Sequence, residues 1–210
     1  MKKLITFFAV FTLILCFSCA KETRLENIVR EGDIIFHTSL SSQSRAIQLA
    51  TNSPYSHCGI IYKINGQWYV YEAVQPVKLT PLKEWVNRGK DGKYSVKRLK
   101  EADSILTTAT LGKMQEEGKK FNAKNYDLLF AWSDDKIYCS ELVWKIYKKG
   151  AGIEIGRLEQ FKDFDLSSKE VQDIVQKRYG SKMPLNETVI TPVSIFNSDK
   201  LLTVTTNMQN

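Results

Sequence analysis

The chain is short of the residues that build metal centres. Among 210 residues it has only two histidines, His37 and His57, and four cysteines. No CxxC pair and no HExxH occurs. These shortages argue against a structural or catalytic zinc site, which needs clustered thiolate and imidazole ligands. Cys16 and Cys19 fall in the leader, so only Cys58 and Cys139 remain in the body. Two body cysteines allow one disulfide at most and exclude a disulfide framework. Internal repeats and low-complexity runs are missing too. The formal charge is +7, and losing Lys2 and Lys3 with the leader leaves the mature chain at about +5. No nucleic-acid motif accompanies that charge. Lys97, Arg98, Lys100, Lys119, Lys120, Lys148 and Lys149 are scattered and read as a solvated surface, which gives little support for binding anionic lipid or polyanionic cell-wall material.

The longest apolar run, Leu4 to Phe17, is too short for a comfortable membrane span. It follows Met1-Lys2-Lys3 and closes on Cys16-Phe17-Ser18-Cys19. That pattern is similar to a bacterial lipoprotein signal with Cys19 as the lipidated first residue, although Cys16 stands where an aliphatic is usual. The alternative is an ordinary cleaved secretory signal, and both predict export. The expected layout is a signal over 1–18, a tether over 19–30 and one domain over 31–210, long enough to bury a sizeable core.

Within that domain the clearest local feature is a hairpin. His57 to Ile64 reads as a strand, Asn65-Gly66 as a two-residue turn, and Gln67 to Val74 as the return strand. Ile64 then pairs with Gln67, Gly59 faces Glu72, and His57 and Glu72 share a face as diagonal neighbours, about 7–8 Å apart at the backbone. Gly59 has no side chain to obstruct them. Cys58 points to the other face, which argues against Cys58 as the partner of His57 and against an easy Cys58–Cys139 disulfide. Around the hairpin, Ile34-Ile35-Phe36 reads as a short buried strand and Gln43 to Ala50 as a helix. Thr80-Pro81 reads as a helix start with Pro81 at the first helical position. Tyr94 to Leu99 reads as a strand, and one helix capped at Asp103 or Ser104 runs to about Lys120. Ser167-Ser168 opens a helix ending at Gly180, and the stretch from Val189 to Asp199 reads as an ordered tail packed on the surface.

A second signal lies in Ile137-Tyr138-Cys139-Ser140-Glu141-Leu142-Val143-Trp144. Leu142, Val143, Ile146 and Tyr147 recur at helical spacing, and Gly150 is placed to end the helix. Cys139 sits in the first turn, where the positive end of the helix dipole favours thiolate. Cys139 is either a buried core cysteine or a nucleophile. The nucleophilic reading gains from one strand histidine and one glutamate on its face, because a thiolate needs a base and the base needs an orienting acceptor.

Gly32-Asp33-Ile34-Ile35-Phe36, Tyr55-Ser56-His57-Cys58-Gly59-Ile60-Ile61, Tyr71-Glu72-Ala73, Tyr126-Asp127 and Tyr138-Cys139-Ser140-Glu141-Leu142 together resemble the circularly permuted NlpC/P60 cysteine hydrolases of the YiiX/YebB-like, papain-like amidase group. The resemblance covers about residues 31–200, with histidine first and cysteine last. It implies an α+β fold, a small antiparallel sheet packed against helices. It implies Cys139 as nucleophile, His57 as general base and Glu72 as orienting residue, with backbone N–H groups at the start of the Cys139 helix for the oxyanion. Tyr138 and Tyr126 are weaker candidates for lining the site. No cofactor and no metal are implied. Three functions follow: a lipid-anchored cysteine amidase acting on peptide- or amide-containing envelope material, a lipid-directed acyl hydrolase or acyltransferase, or a non-catalytic envelope-binding lipoprotein of the same fold.

The leader generates its own test. Cys19→Ala should move the protein from the membrane fraction to the soluble exported fraction, and unchanged fractionation would refute the anchor.

Overall fold

The computed structural model describes residues 24–208, so the leader, Cys16 and Cys19 lie outside it. The elements in chain order are β1 (Ile34–His37), α1 (Ser42–Thr51), β2 (His57–Ile64), β3 (Gln67–Glu72), β4 (Lys78–Pro81), α2 (Leu82–Arg88), β5 (Ser95–Leu99), α3 (Ala102–Ile105), α4 (Thr108–Lys119), α5 (Cys139–Ile146), β6 (Glu159–Gln160), α6 (Lys169–Tyr179), β7 (Thr188–Val189), α7 (Pro192–Phe196) and β8 (Leu201–Thr206). The main sheet runs β4-β3-β2-β1-β5-β8, antiparallel at every step. The architecture is α+β.

The β2–β3 hairpin has the predicted register, from Ile64 opposite Gln67 to Ile60 opposite Tyr71. Asn65 and Gly66 both take positive φ, 50° and 82°, the conformation that joins two strands without splaying them. Alternation along β2 then feeds two cores. Cys58, Ile60 and Tyr62 pack with Leu142, Val143 and Ile146 of α5. Ile61 packs on the other side with Val70 and with Leu82 and Trp85 of α2. The central sheet is thus covered on both faces, which is why β1 is buried at all four positions and its first three, Ile34-Ile35-Phe36, read as an apolar run.

Several elements differ from the sequence-based expectations. Pro81 ends β4 and precedes the first residue of α2, and Thr80 spends its hydroxyl on Glu72 rather than on a cap. The predicted helix to Lys120 is two helices, broken at Leu106, with Thr107 accepting the Ser/Thr-type cap bond from the Thr110 N–H at 3.2 Å. The return strand stops at Glu72. The C-terminal tail supplies β8, an edge strand paired with β5. Val29, placed in the tether, is buried in the second core. Two of the supposed surface charges are structural. Arg98 holds Asp33 through Nε and Nη2, both at 2.7 Å, and Lys97 is 8% exposed with its ammonium over the Phe196 ring. Among the described residues no helix is long and apolar enough to cross a membrane.

The end of the cysteine helix is the sharpest correction. After Ile146 the chain continues through a π-helical turn, Tyr147–Ala151, and Gly152 closes it in the left-handed conformation at φ 72°. Gly150 is needed for a close approach instead. A Cβ there would lie 2.6 Å from the Met114 Cα, so α4 backbone would have to move. Gly150→Ala should therefore cost about 1–3 kcal/mol through overpacking, more than Gly152→Ala, where a Cβ meets nothing and only the backbone preference of about 1 kcal/mol is lost. Urea denaturation of the two variants measures the order, and equal losses would show that the α4 contact can yield.

Candidate active site

The hairpin register places His57 and Glu72 on the Trp85 face of the sheet. Gly59 lies between them, where a Cβ would meet Val70 Cγ1 at 2.4 Å and the Tyr71 carbonyl at 2.8 Å. His57 Nε2 reaches Glu72 Oε2 at 2.6 Å. Glu72 has no exposed surface and takes further bonds from Thr80 Oγ1 to Oε1 (2.6 Å), from Trp85 Nε1 to Oε2 (2.8 Å) and from Arg88 Nη2 to both oxygens (2.6 and 2.5 Å). Burial alone would push this carboxyl upward. The hydrogen bonds and charges of His57 and Arg88 outweigh it and hold Glu72 well below the usual carboxylate range.

Cys139 opens α5 and packs on the opposite side of the sheet, in the core that holds Cys58. His57 is the first residue of β2, where the two faces meet at the strand end. There His57 hydrogen-bonds Cys139 as well as Glu72. Glu72 occupies Nε2, so Nδ1 is the nitrogen left for sulfur. Burial opposes charge on His57, but the Cys139 charge and hydrogen bond, and then Glu72, raise it from 6.5 to about 9. The Cys139 thiol moves the other way, well below its ordinary 9.0. The Cys58 side chain contributes most, burial opposes, and the charge and hydrogen bond of His57 and the Cys58 backbone N–H add to the effect. Cys58 itself is pushed up, by burial first and then by its bond to Cys139. Both shifts favour imidazolium at His57 and thiolate at Cys139.

The alternation of His57 and Cys58 is as predicted: His57 pairs with Glu72 and not with Cys58, and no disulfide joins the two cysteines, although the opposite face did not separate Cys58 from Cys139. Because α5 packs on the Cys58 face, Cys58 is a neighbour of Cys139 and both thiols are free. His37 faces His57 across β1–β2 and stacks on Trp85 at 3.9 Å; burial first, then the charges of His57 and Arg88, pushes it down to about 2, so this ring is neutral.

Both candidate tyrosines line one pocket with Cys139. Tyr138 precedes α5; its hydroxyl accepts from the Ile190 N–H at 3.1 Å and its ring packs edge-on to Phe130. Tyr126 hydrogen-bonds Cys139, and burial, then the Cys139 charge, keeps it a phenol. Its proton is aimed by two neighbours that no motif in the sequence marks. Arg178, which can only donate, bonds Gln43 Oε1 at 2.5 Å; this turns the Gln43 amide nitrogen toward the Tyr126 oxygen, 3.0 Å away. The pocket has a cavity volume of about 110 Å³, and its walls are mostly apolar: Ala46, Ile47 and Ala50 of α1, Val171, Ile174 and Val175 of α6, with Phe130, Phe161 and Leu166.

Residues 28–205 match the family described as permuted papain-like amidase enzyme, YaeF/YiiX, C92 family. The chain is 47% identical over 173 residues to the uncharacterized protein YiiX of Escherichia coli strain K12, covering 82% of this chain and 84% of that protein. It is also similar to the crystal structure of YiiX from Escherichia coli O157:H7, with a TM-score of 0.82, 45% identity, and coverage of 87% of this chain and 99% of that one. That protein is described as a metalloprotein. The residues here do not fit such a centre. Among the described residues no three His, Cys, Asp or Glu side chains converge on a metal position, and Glu72 is already bound by His57, Thr80, Trp85 and Arg88.

Iodoacetamide at pH 6 should label Cys139 well before Cys58. Glu72→Gln removes a charge that stabilises the imidazolium, so His57 should lose its proton below its present value of about 9, read from the pH profile of its ring-proton resonances, and a shift of one unit is a tenfold loss of proton affinity. An unchanged profile would detach Glu72 from the dyad.

Proposed function

The chain belongs to the permuted papain-like amidase family and is a cysteine hydrolase in kind; we propose that its nucleophile is Cys139, its general base His57 and its orienting residue Glu72, and that it cleaves an amide or ester whose acyl part is apolar. The observation that carries this reading is the apolar pocket that has Cys139 in its wall beside the His57 ion pair. The thiolate attacks the carbonyl carbon. The Tyr126 hydroxyl and the free N–H groups at the start of α5 receive the developing oxyanion. His57 gives its Nδ1 proton to the leaving amine or alkoxide, leaving an acyl thioester. The neutral ring then takes a proton from water as it attacks the thioester. Glu72 keeps Nε2–H in place and favours each return to imidazolium.

The pocket favours the lipid-directed reading over a peptide-directed one. A wall of aliphatic and aromatic side chains gains about 0.8 kcal/mol per buried methylene and has few groups to satisfy a peptide backbone. The lipid-modified Cys19 would hold the enzyme at an envelope membrane, where acylated substrates are concentrated.

A series of p-nitrophenyl esters of rising acyl length tests the substrate class. kcat/KM should climb roughly fourfold per methylene until the pocket is full, following about 0.8 kcal/mol each. Ile174→Asp should flatten the series, and Cys139→Ala should abolish turnover. A wild-type profile that is flat or falls with length would reject the acyl pocket while leaving the Cys139 assignment to its own test.

A further inference from the structure

Cys58 is not used by the proposed reaction, yet it lies beside Cys139 in one core. Both thiols are buried, Cys58 fully and Cys139 at 2% exposure, and both belong to the core between β2 and α5. α5 packs on the Cys58 face of β2, and Cys58 is near enough to Cys139 for its side chain and backbone N–H to favour the Cys139 thiolate. The two are not equally reachable, because Cys139 lines the open pocket and Cys58 does not. A small oxidant entering the pocket meets Cys139 first and finds Cys58 behind it.

We propose that Cys58 is a resolving thiol, and that hydroperoxide converts the Cys58–Cys139 pair to a disulfide that switches the enzyme off reversibly. The inference rests on Cys139 being the reactive thiolate. The Cys139 sulfur attacks one oxygen of hydrogen peroxide, the O–O bond breaks, and the His57 imidazolium protonates the departing hydroxide to water. This leaves a Cys139 sulfenic acid. The Cys58 sulfur then attacks the Cys139 sulfur, the S–O bond breaks, and the hydroxyl leaves with the Cys58 proton as a second water. Two thiols are oxidised and one peroxide is reduced to two waters. Without a resolving thiol, the sulfenic acid proceeds to the irreversible sulfinic acid. The disulfide protects the nucleophile by occupying it, and an exported protein meets the oxidising conditions that would close it.

The test uses the full chain, treated with hydrogen peroxide and digested with trypsin under non-reducing conditions. The peptide over residues 46–63 should appear cross-linked to the peptide over residues 137–145. Iodoacetamide labelling of Cys139 should fall to background and return with dithiothreitol. Cys58→Ser keeps a hydrogen-bond donor but cannot form the bond. Its Cys139 peptide should gain about 32 Da, the mass of two oxygens, and its labelling should not return. A wild-type Cys139 that alkylates when reduced but yields only the sulfinic peptide, as the variant does, would overturn the switch and leave the catalytic assignment standing. A Cys139 inert to both reagents would overturn both.

Discussion

Glu72 is a full negative charge with no exposed surface, and the site is arranged around answering it. Transferring a lone carboxylate into the interior costs several kcal/mol even after relaxation. Here four side chains converge on it from three elements: His57 from β2, Thr80 from β4, Trp85 and Arg88 from α2. The charges close only when the cluster is taken whole. Glu72 and the Cys139 thiolate contribute two negatives, and His57 and Arg88 two positives. Arg88 alone keeps substantial exposure, so it delivers a positive charge to the carboxylate without being fully desolvated. That leaves the more buried His57 charge for the sulfur.

The sheet makes this possible by keeping the carboxylate side separate from Cys139. Glu72, Trp85 and the body of α2 lie on one face, while α5 and both thiols lie on the other. His57 joins them because it is the first residue of β2, not a mid-strand one. A histidine two residues further along would be walled off by the strand itself, and at that position stands Gly59, whose missing Cβ lets Val70 and Tyr71 close in. The apolar pocket then borders the sulfur on the side away from Glu72, so a greasy wall and a four-charge cluster coexist within one small domain.

How much of this is readable from the chain depends on how local each determinant is. Asn65-Gly66 sets the β2–β3 register through two residues, so the His57–Glu72 pairing follows from the turn alone, and the position of Cys139 at a helix start follows from apolar spacing. The face on which that helix packs is decided by the whole core, and strand alternation alone points Cys58 away from a site it adjoins. Arg88 carries no motif, and Thr80 resembles a helix cap because nothing in its neighbours marks β4 as a strand. Gln43 and Arg178 meet across 135 positions of sequence, which no periodicity reports. Gly150 resembles a helix terminator because sequence shows the lack of a side chain but not the α4 backbone that requires it.

The His57–Cys139 pair also shapes how folding depends on pH. His57 rises from 6.5 to about 9, so its contribution is complete below 6.5 and is lost as pH climbs through 9. Cys139 falls from 9.0, so its contribution is complete above 9 and is lost as pH drops through its lowered value. Between 6.5 and 9 the unfolded chain carries a neutral imidazole and a protonated thiol, while the folded chain carries the reverse. Folding there moves one proton from Cys139 to His57 with no net uptake or release, so the pair adds no slope to stability across that range. Glu72, depressed, contributes throughout it and weakens only as acid reaches its own lowered value. An ion pair made by internal proton transfer is therefore favoured over the pH range in which an unassisted thiol would be almost entirely protonated.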